Sequence, residues 1–325
     1  MIGHAHSKRS TSLRVTSLVA VGALAVAACT GAGSSPSPAA AGPSVVVTTP
    51  ILGAIVKDLV GDGADVTVLM PNPSDPHQWS PSAKDIERVM NADLVVANGL
   101  ALEEGLETTL DEAEKAGVAV FRGGEHIQVR PASGHGPDEE SPAAGASADP
   151  GGDEDKHEDG DPHFWVDPIS MRDVVAALTV ELAGAGVDVK DRGADLEQRL
   201  VELDAETRTT LAVVPEQSRK LVTGHVSLGY FADRYAFELV GSVIPGLSSQ
   251  GEVSAGELAQ LKADIEEQGV KAIFTELGTS DAVVAAISEE TGVQVVRLAL
   301  PVLPDDGSYF TYIRGIATDV ADALR

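Results

Sequence analysis

Strand-like and helix-like segments alternate along most of this chain. That predicts an α/β fold of two βα lobes with parallel sheets, joined by a long rigid helix, with a metal site in the inter-lobe cleft. Three observations carry the prediction. Short β-branched runs recur in turn with segments of helical apolar spacing, the mark of βαβ units and parallel sheet. One helical pattern, residues 191–213, is longer than a βα crossover needs and reads as a strut between two lobes. Finally, Asp75-Pro76-His77-Gln78-Trp79 is echoed by Asp161-Pro162-His163-Phe164-Trp165, and the echo holds the only two tryptophans of the chain.

The elements follow in order. Residues 45–49 form a β-branched run ended by Pro50, and residues 51–60 have helical spacing that stops at Gly61. A second strand, 66–70, ends at Pro71; Ser82 is an N-cap for a helix over 83–91, with Asp85 in its first turn. A strand at 94–97, a helix at 103–116 closed by Gly117, and a strand at 118–121 complete the first series. Residues 131–160 break the rhythm: glycine, proline, alanine and serine mix with many carboxylates, and with His135 and His157. A segment with no apolar period reads as a disordered acidic insertion, either a plain solvated loop or a low-affinity collector of cations for the nearby His163. Helices at 171–183 and 191–213 follow, the second with Leu196, Leu200, Leu203 and Leu211 on one face. Strands at 220–223, 237–244, 272–276 and 293–298 then alternate with helices at 228–235, 256–268, 280–291 and 309–324. Ligands of such sheets bind outside the carboxyl ends of the strands. His77 and His225 both lie just after predicted strands, His225 following Val222-Thr223-Gly224.

The N-terminal region sets the compartment. Lys8, Arg9 and Arg14 precede an apolar run over 18–28, and Val26-Ala27-Ala28-Cys29 has the form of a bacterial lipobox. A basic region, a short apolar run and small residues before a cleavage point make a secretory signal. Cys29, the only cysteine, would be the lipidated residue, anchoring the protein to the outer face of the cytoplasmic membrane. The expected organisation is a lipoprotein signal peptide at 1–28 and a flexible Gly/Ser/Pro/Ala tether at 29–44. A first lobe spans 45–188 with the insertion at 131–160, a linking helix 189–214, and a second lobe 215–325. Without residues 1–28 the chain carries 20 basic and 50 acidic side chains, a net −30, which argues against nucleic acid and favours attraction of cations.

The two echoed loops each place an imidazole after a proline, which fixes local geometry. Imidazole is the commonest side-chain ligand for borderline metals. His77 and His163 therefore read as a shared metal site, each beside an aromatic wall, whereas His126 has no supporting pattern. Tyr230 and Phe231 read as helix core, and the loop 245–251 as a turn or a flank of the cleft.

Taken in order, several motifs resemble one family. They are Asp75-Pro76-His77 with Ser80-Pro81-Ser82 and Asp85; Asp161-Pro162-His163-Phe164-Trp165-Val166-Asp167-Pro168; His225 with Gly229-Tyr230-Phe231-Ala232 and Arg234-Tyr235; and Ile273-Phe274-Thr275-Glu276 before Glu290-Thr291-Gly292. The set, from about residue 45 to the end, is similar to the zinc/manganese substrate-binding proteins of bacterial ABC importers, the ZnuA-type solute-binding family. The resemblance implies two α/β lobes with metal in the cleft, and metal ligands at His77, His163 and His225. A histidine at the third position resembles the zinc branch, so Zn2+ is the implied cargo and Mn2+ the lesser one. It also implies an ABC permease with its ATPase as partners, a monomeric carrier, and no catalytic activity. The family often places an aspartate after the last strand, where this chain has Leu300-Pro301-Val302. Asp306 is the favoured fourth ligand, since Asp306-Gly307 could turn it back; Asp305, Glu276 and a water are the alternatives.

Rival functions are a zinc hydrolase and an extracellular zinc buffer or adhesin. Three histidines and a water can make a catalytic zinc site. Against it, the sequence has no His-Glu-x-x-His and no evident general base other than Glu276.

Overall fold

The computed structural model describes residues 42–132 and 160–325. The signal segment with Cys29, most of the tether, and the acidic insertion with His135 and His157 lie outside the described residues.

Four strands form the first sheet: β1 Ser44–Val47, β2 Asp65–Val68, β3 Leu94–Ala97 and β4 Ala119–Arg122. Four form the second: β5 Lys220–Thr223, β6 Glu238–Ser242, β7 Ala272–Thr275 and β8 Gln294–Arg297. Every pairing is parallel, and the orders correspond: β2-β1-β3-β4 and β6-β5-β7-β8. The helices are α1 Pro50–Val60, α2 Ala83–Met90, α3 Glu107–Ala116, α4 Pro168–Gly184, α5 Lys190–Leu211, α6 Gly229–Tyr235, α7 Ala255–Gln268, α8 Asp281–Thr291 and α9 Tyr309–Leu324.

Local chemistry explains where these helices start. Thr49 Oγ1 accepts from the Leu52 amide and Pro50 opens α1, where its missing N–H costs nothing. Ser82 with Asp85, and Ser254 with Glu257, form reciprocal capping boxes at α2 and α7. Asp167 caps α4 ahead of Pro168. The expected helix at 103–116 starts later, at Glu107. Leu100 and Ala101 take positive φ, and Glu103 turns fully inward, where its carboxylate accepts from Thr48 Oγ1 at 2.5 Å and the Asn98 amide at 2.7 Å. Burial pushes the Glu103 carboxyl above its usual range, with those bonds partly opposing the shift.

Strand alternation divides the apolar residues between two faces of each sheet. Val46, Val95 and Ala97 pack into an outer core with Leu106 and Leu110 of the first lobe. Val222 and Ile273 pack into an outer core with Leu261, Ile265 and Ile287 of the second. The inner faces, including Val45, Val47, Leu94 and Val96 on one side and Leu221, Ala272 and Phe274 on the other, share one continuous core with α4, α5 and α9. Helix α5 is the strut: Leu196, Leu200, Leu203 and Leu211 are all buried, and the helix packs on α4, α9 and α1. Gly193 lets α5 close on α4, because a Cβ there would collide with Thr179. Truncating one of these leucines to alanine costs ~2–5 kcal/mol in a core that cannot collapse.

Candidate metal centre

Three loops meet at the waist. The segment after β2 brings His77, the segment entering α4 brings His163, and the turn after β5 brings His225; the three are 5 %, 1 % and 6 % exposed, so all are withdrawn from solvent. Their Nε2 atoms face one another, 3.2 Å apart between His77 and His163 and 3.0 Å between His225 and His163. One ligand atom from each of the three lies within 4.8 Å of the others. Tetrahedral zinc with bonds of 2.0–2.1 Å sets its nitrogens about 3.3–3.4 Å apart, so the observed spacing fits one such ion.

Each imidazole is aimed by what it touches. Asp161 Oδ1 accepts from the His163 amide at 2.9 Å and from Nδ1 at 2.8 Å. That carboxylate is fully buried, with Arg130 Nη1 3.4 Å away as its counter-charge. The bond places the His163 proton on Nδ1 and leaves a lone pair at Nε2, directed at the centre. His225 is set by Glu276, whose Oε1 accepts from the His225 amide at 2.8 Å and lies 2.6 Å from Nδ1. The second contact is a close approach rather than an aligned hydrogen bond, and His225 Nδ1 has no acceptor of its own. Thr223 Oγ1 and the Ser227 amide both donate to the His225 carbonyl, tightening this turn.

His77 is held differently. Its Nδ1 lacks a hydrogen-bond partner and stands 3.8 Å from Glu104 Oε1, a side chain 46 % exposed and therefore largely screened. Its backbone is gripped instead: Asp75 Oδ1 accepts from the His77 amide at 3.1 Å, and Gln250 of the second lobe donates to the His77 carbonyl.

Burial, reinforced by the charges His163 and His225 would carry, lowers the His77 pKa to about 2. Burial also lowers that of His163, against the pull of Asp161. These imidazoles are therefore neutral near pH 7. The neutral lone pairs of His77 and His163, crowded at 3.2 Å, are mutually unfavourable, and a cation between them turns the arrangement favourable.

The structure thus brings His77, His163 and His225 together but not Asp306. Asp306 is exposed, and Thr311 Oγ1 at 2.7 Å and the Ser308 amide at 3.0 Å, both donating to its carboxylate, hold it below the usual carboxylate range. The Asp306-Gly307 turn does fold the side chain back, but onto the start of its own helix α9, where the backbone amides favour a negative charge. Asp305 is exposed as well, and Leu300 and Pro301 line the centre in place of an acid. Glu276 is 1 % exposed and supports His225, although its Oε2 has no partner. His126 is exposed and stacks on Phe121 at 4.6 Å, away from the cluster.

One expectation is corrected. Only His163 has its tryptophan as a wall, with ring centroids 5.2 Å from Trp165; Trp79 is half-buried against the outer core of the first lobe. The reason is the following residue: Phe164 turns into the shared core and carries Trp165 with it, whereas Gln78 is polar and exposed. Sequence reasoning missed the roles of Asp161, Arg130 and Tyr230. The Tyr230 hydroxyl donates to the Asp161 carbonyl and accepts from the Arg130 amide, so it is more than helix core. The aspartate two residues before each histidine was the available signal, since such side chains commonly bond the backbone two residues on.

Comparison with known proteins gives concordant matches. The family described as "Zinc-uptake complex component A periplasmic" (ZnuA) matches residues 45–323. The high-affinity zinc uptake system protein ZnuA of Bacillus subtilis is 31 % identical over 289 residues, 83 % of this chain and 82 % of that one. The manganese-binding lipoprotein MntA of Halalkalibacterium halodurans is 27 % identical over 283 residues, 86 % of this chain and 85 % of its own. Among solved structures, the periplasmic zinc binding protein TroA of Treponema pallidum superposes with a TM-score of 0.71 at 26 % identity, covering 87 % of this chain and 99 % of that one.

Proposed function

The chain belongs to the zinc-uptake complex component A (ZnuA) family, and we propose from that premise that it binds Zn2+ outside the cytoplasmic membrane and delivers it to an ABC importer. The observation that carries the proposal is the convergence of three buried Nε2 atoms from His77, His163 and His225. Nitrogen donors without a carboxylate among them suit zinc better than manganese. In this reading the ion sits at the waist, held by His77 and His163 of the first lobe and His225 of the second. The permease and its ATPase are the partners, the protein is a monomer, and Cys29 carries the lipid that keeps it on the outer face of the membrane.

The same residues support a carrier rather than a hydrolase. Glu276, the carboxylate closest to a general base, is committed through Oε1 to the His225 amide and lies against the His225 ring. Manganese is the second reading, favoured by the manganese-binding relative and by the unpartnered Glu276 Oε2, which could supply an oxygen.

Metal analysis of purified protein, followed by competitive titration with zinc and manganese, tests the proposal. One zinc per chain, not displaced by excess manganese, is the expected result. Preferential retention of manganese would move the assignment to the second reading, and failure to retain either metal would reject both.

A further inference from the structure

The three imidazoles differ in what keeps them in place, and the difference points to a specific pair of residues. His163 and His225 have buried carboxylates beside their rings, from Asp161 and Glu276. His77 has none, and its loop is instead tied to the second lobe by the turn that follows β6. Ser249 Oγ donates to Asp75 Oδ2 at 2.6 Å, and Ser249 is only 6 % exposed. Gln250 Nε2 donates to the His77 carbonyl. Ser248 Oγ donates to Glu104 Oε1 at 3.2 Å, the same oxygen that faces His77 Nδ1. Asp75 closes the arrangement by accepting from the His77 amide at 3.1 Å and from Gln78 Nε2 at 2.8 Å. The fit is close on the Gly278 side: a Cβ on Gly278, which has φ +97°, would stand 2.6 Å from Asp75 Oδ2 and 3.1 Å from Ser249 Cβ.

We propose that Ser249 and Gln250 are positioning residues that clasp the His77 loop across the cleft, so that their hold on Asp75 and on the His77 carbonyl sets the rate at which the bound ion leaves. This rests on the reading of the three imidazoles as the metal centre. An ion held by three nitrogens departs by losing one of them first. The nitrogen lost first is the one whose ring has no buried carboxylate beside it. Releasing His77 requires its loop to move, and that loop is restrained by contacts from the opposite lobe. Ser249 and Gln250 touch neither the ion nor the imidazole carbons in this scheme; they act through Asp75 and the His77 backbone.

The test is the full chain with Ser249→Ala and Gln250→Ala combined, compared with the parent by stopped-flow transfer of zinc to a chromophoric chelator. Losing a hydroxyl bond to a carboxylate and an amide bond to a carbonyl should speed release on the order of 10- to 100-fold. Cobalt loaded into the variant should give the parental visible spectrum, since all three nitrogens are retained, and the metal-free melting temperature should stay near the parental value. Ser249→Thr, which keeps the hydroxyl, should release zinc at close to the parental rate. A double variant that binds zinc and releases it at the parental rate overturns the clasp while leaving the metal centre intact. Faster release together with a changed cobalt spectrum, or with release equally fast in Ser249→Thr, also overturns it, because the site or the packing would then be altered. A parent that binds no zinc overturns the metal reading, and the clasp with it.

Discussion

The loop that carries His77 and the loop that carries His163 begin with the same three residues and finish in different environments. In both, the aspartate accepts from the amide of the histidine two positions on, at 3.1 Å for Asp75 and 2.9 Å for Asp161. Beyond that turn they diverge. Asp161 keeps an oxygen for its own histidine ring and is neutralised by Arg130. Asp75 turns its second oxygen outward to Ser249 and Gln78. Trp165 is 4 % exposed against His163, while Trp79 faces away from the centre. The repeated pentapeptide therefore encodes a backbone turn and the direction of an imidazole. Whether the imidazole is held rigidly depends on what the rest of the chain packs against it.

The strongest way to break this comparison is to delete the ligands singly. His163 Nε2 lies within 3.2 Å of both other imidazole nitrogens, and its loss leaves Asp161 buried beside an empty space. His163→Ala should lower zinc affinity by at least about a hundredfold, and further than His77→Ala. Chelator competition reads both, and the reverse order would undo the claim that His163 is the fixed ligand. The aspartates sharpen it next. Asp161→Asn should cost ~10–100-fold in zinc affinity because it removes the buried negative charge that makes the His163 ring a stronger donor to the metal, even though an amide oxygen can still accept from Nδ1. Asp75→Asn should show mainly as faster release, and equal equilibrium losses in the two variants would erase the distinction.

Acid should destabilise the metal-free protein through its buried imidazoles. The His77 pKa is lowered in the fold to about 2, whereas an exposed imidazole titrates near 6.5. The unfolded chain then takes up protons that the folded chain refuses. The stability due to neutral His77 is present above about pH 6.5 and is lost as pH falls below it, by at most about 1.4 kcal/mol per pH unit for one group. Urea titrations between pH 8 and 5 should show this slope, and His77→Gln should reduce it. The smallest effect is expected from Asp306→Ala: zinc affinity and the cobalt spectrum should both be unchanged, and a loss of either would restore Asp306 to the site.

Most of the fold was legible because its signals are local. Val45 to Val47, Leu94 to Ala97 and Ala272 to Thr275 announce buried parallel strands, and Ser82 with Asp85 announces a helix start. The leucines of α5 marked the strut for the same reason. The convergence of the three histidines was legible from the echoed turn motif, from a strand end and from the family resemblance, which above all singled out His225. What could not be read was which distant groups meet them. Gln250 reaches His77 across 173 residues, and Tyr230 reaches Asp161 across 69, contacts that no local pattern records. Asp306 misled because its turn satisfies the carboxylate within two to five residues, leaving it nothing to offer the cleft. Glu103 likewise has helical neighbours in sequence, and a buried task at the strand ends overrode them.

The continuous core through the waist has a consequence for how this protein dies. The described residues, 42–132 and 160–325, form one compact unit, and the inner faces of both sheets pack into a single apolar body with α4, α5 and α9. Two lobes that share a core have no independent way to melt, so unfolding is cooperative across the whole body. An ion bound at the waist then protects every part of it at once. By mass action, free zinc at a hundred times the dissociation constant adds about 2.7 kcal/mol to the unfolding free energy. Where cleavage requires unfolding, occupancy becomes lifetime: loaded molecules persist, empty ones are degraded sooner, and the amount of carrier comes to follow the supply of its cargo.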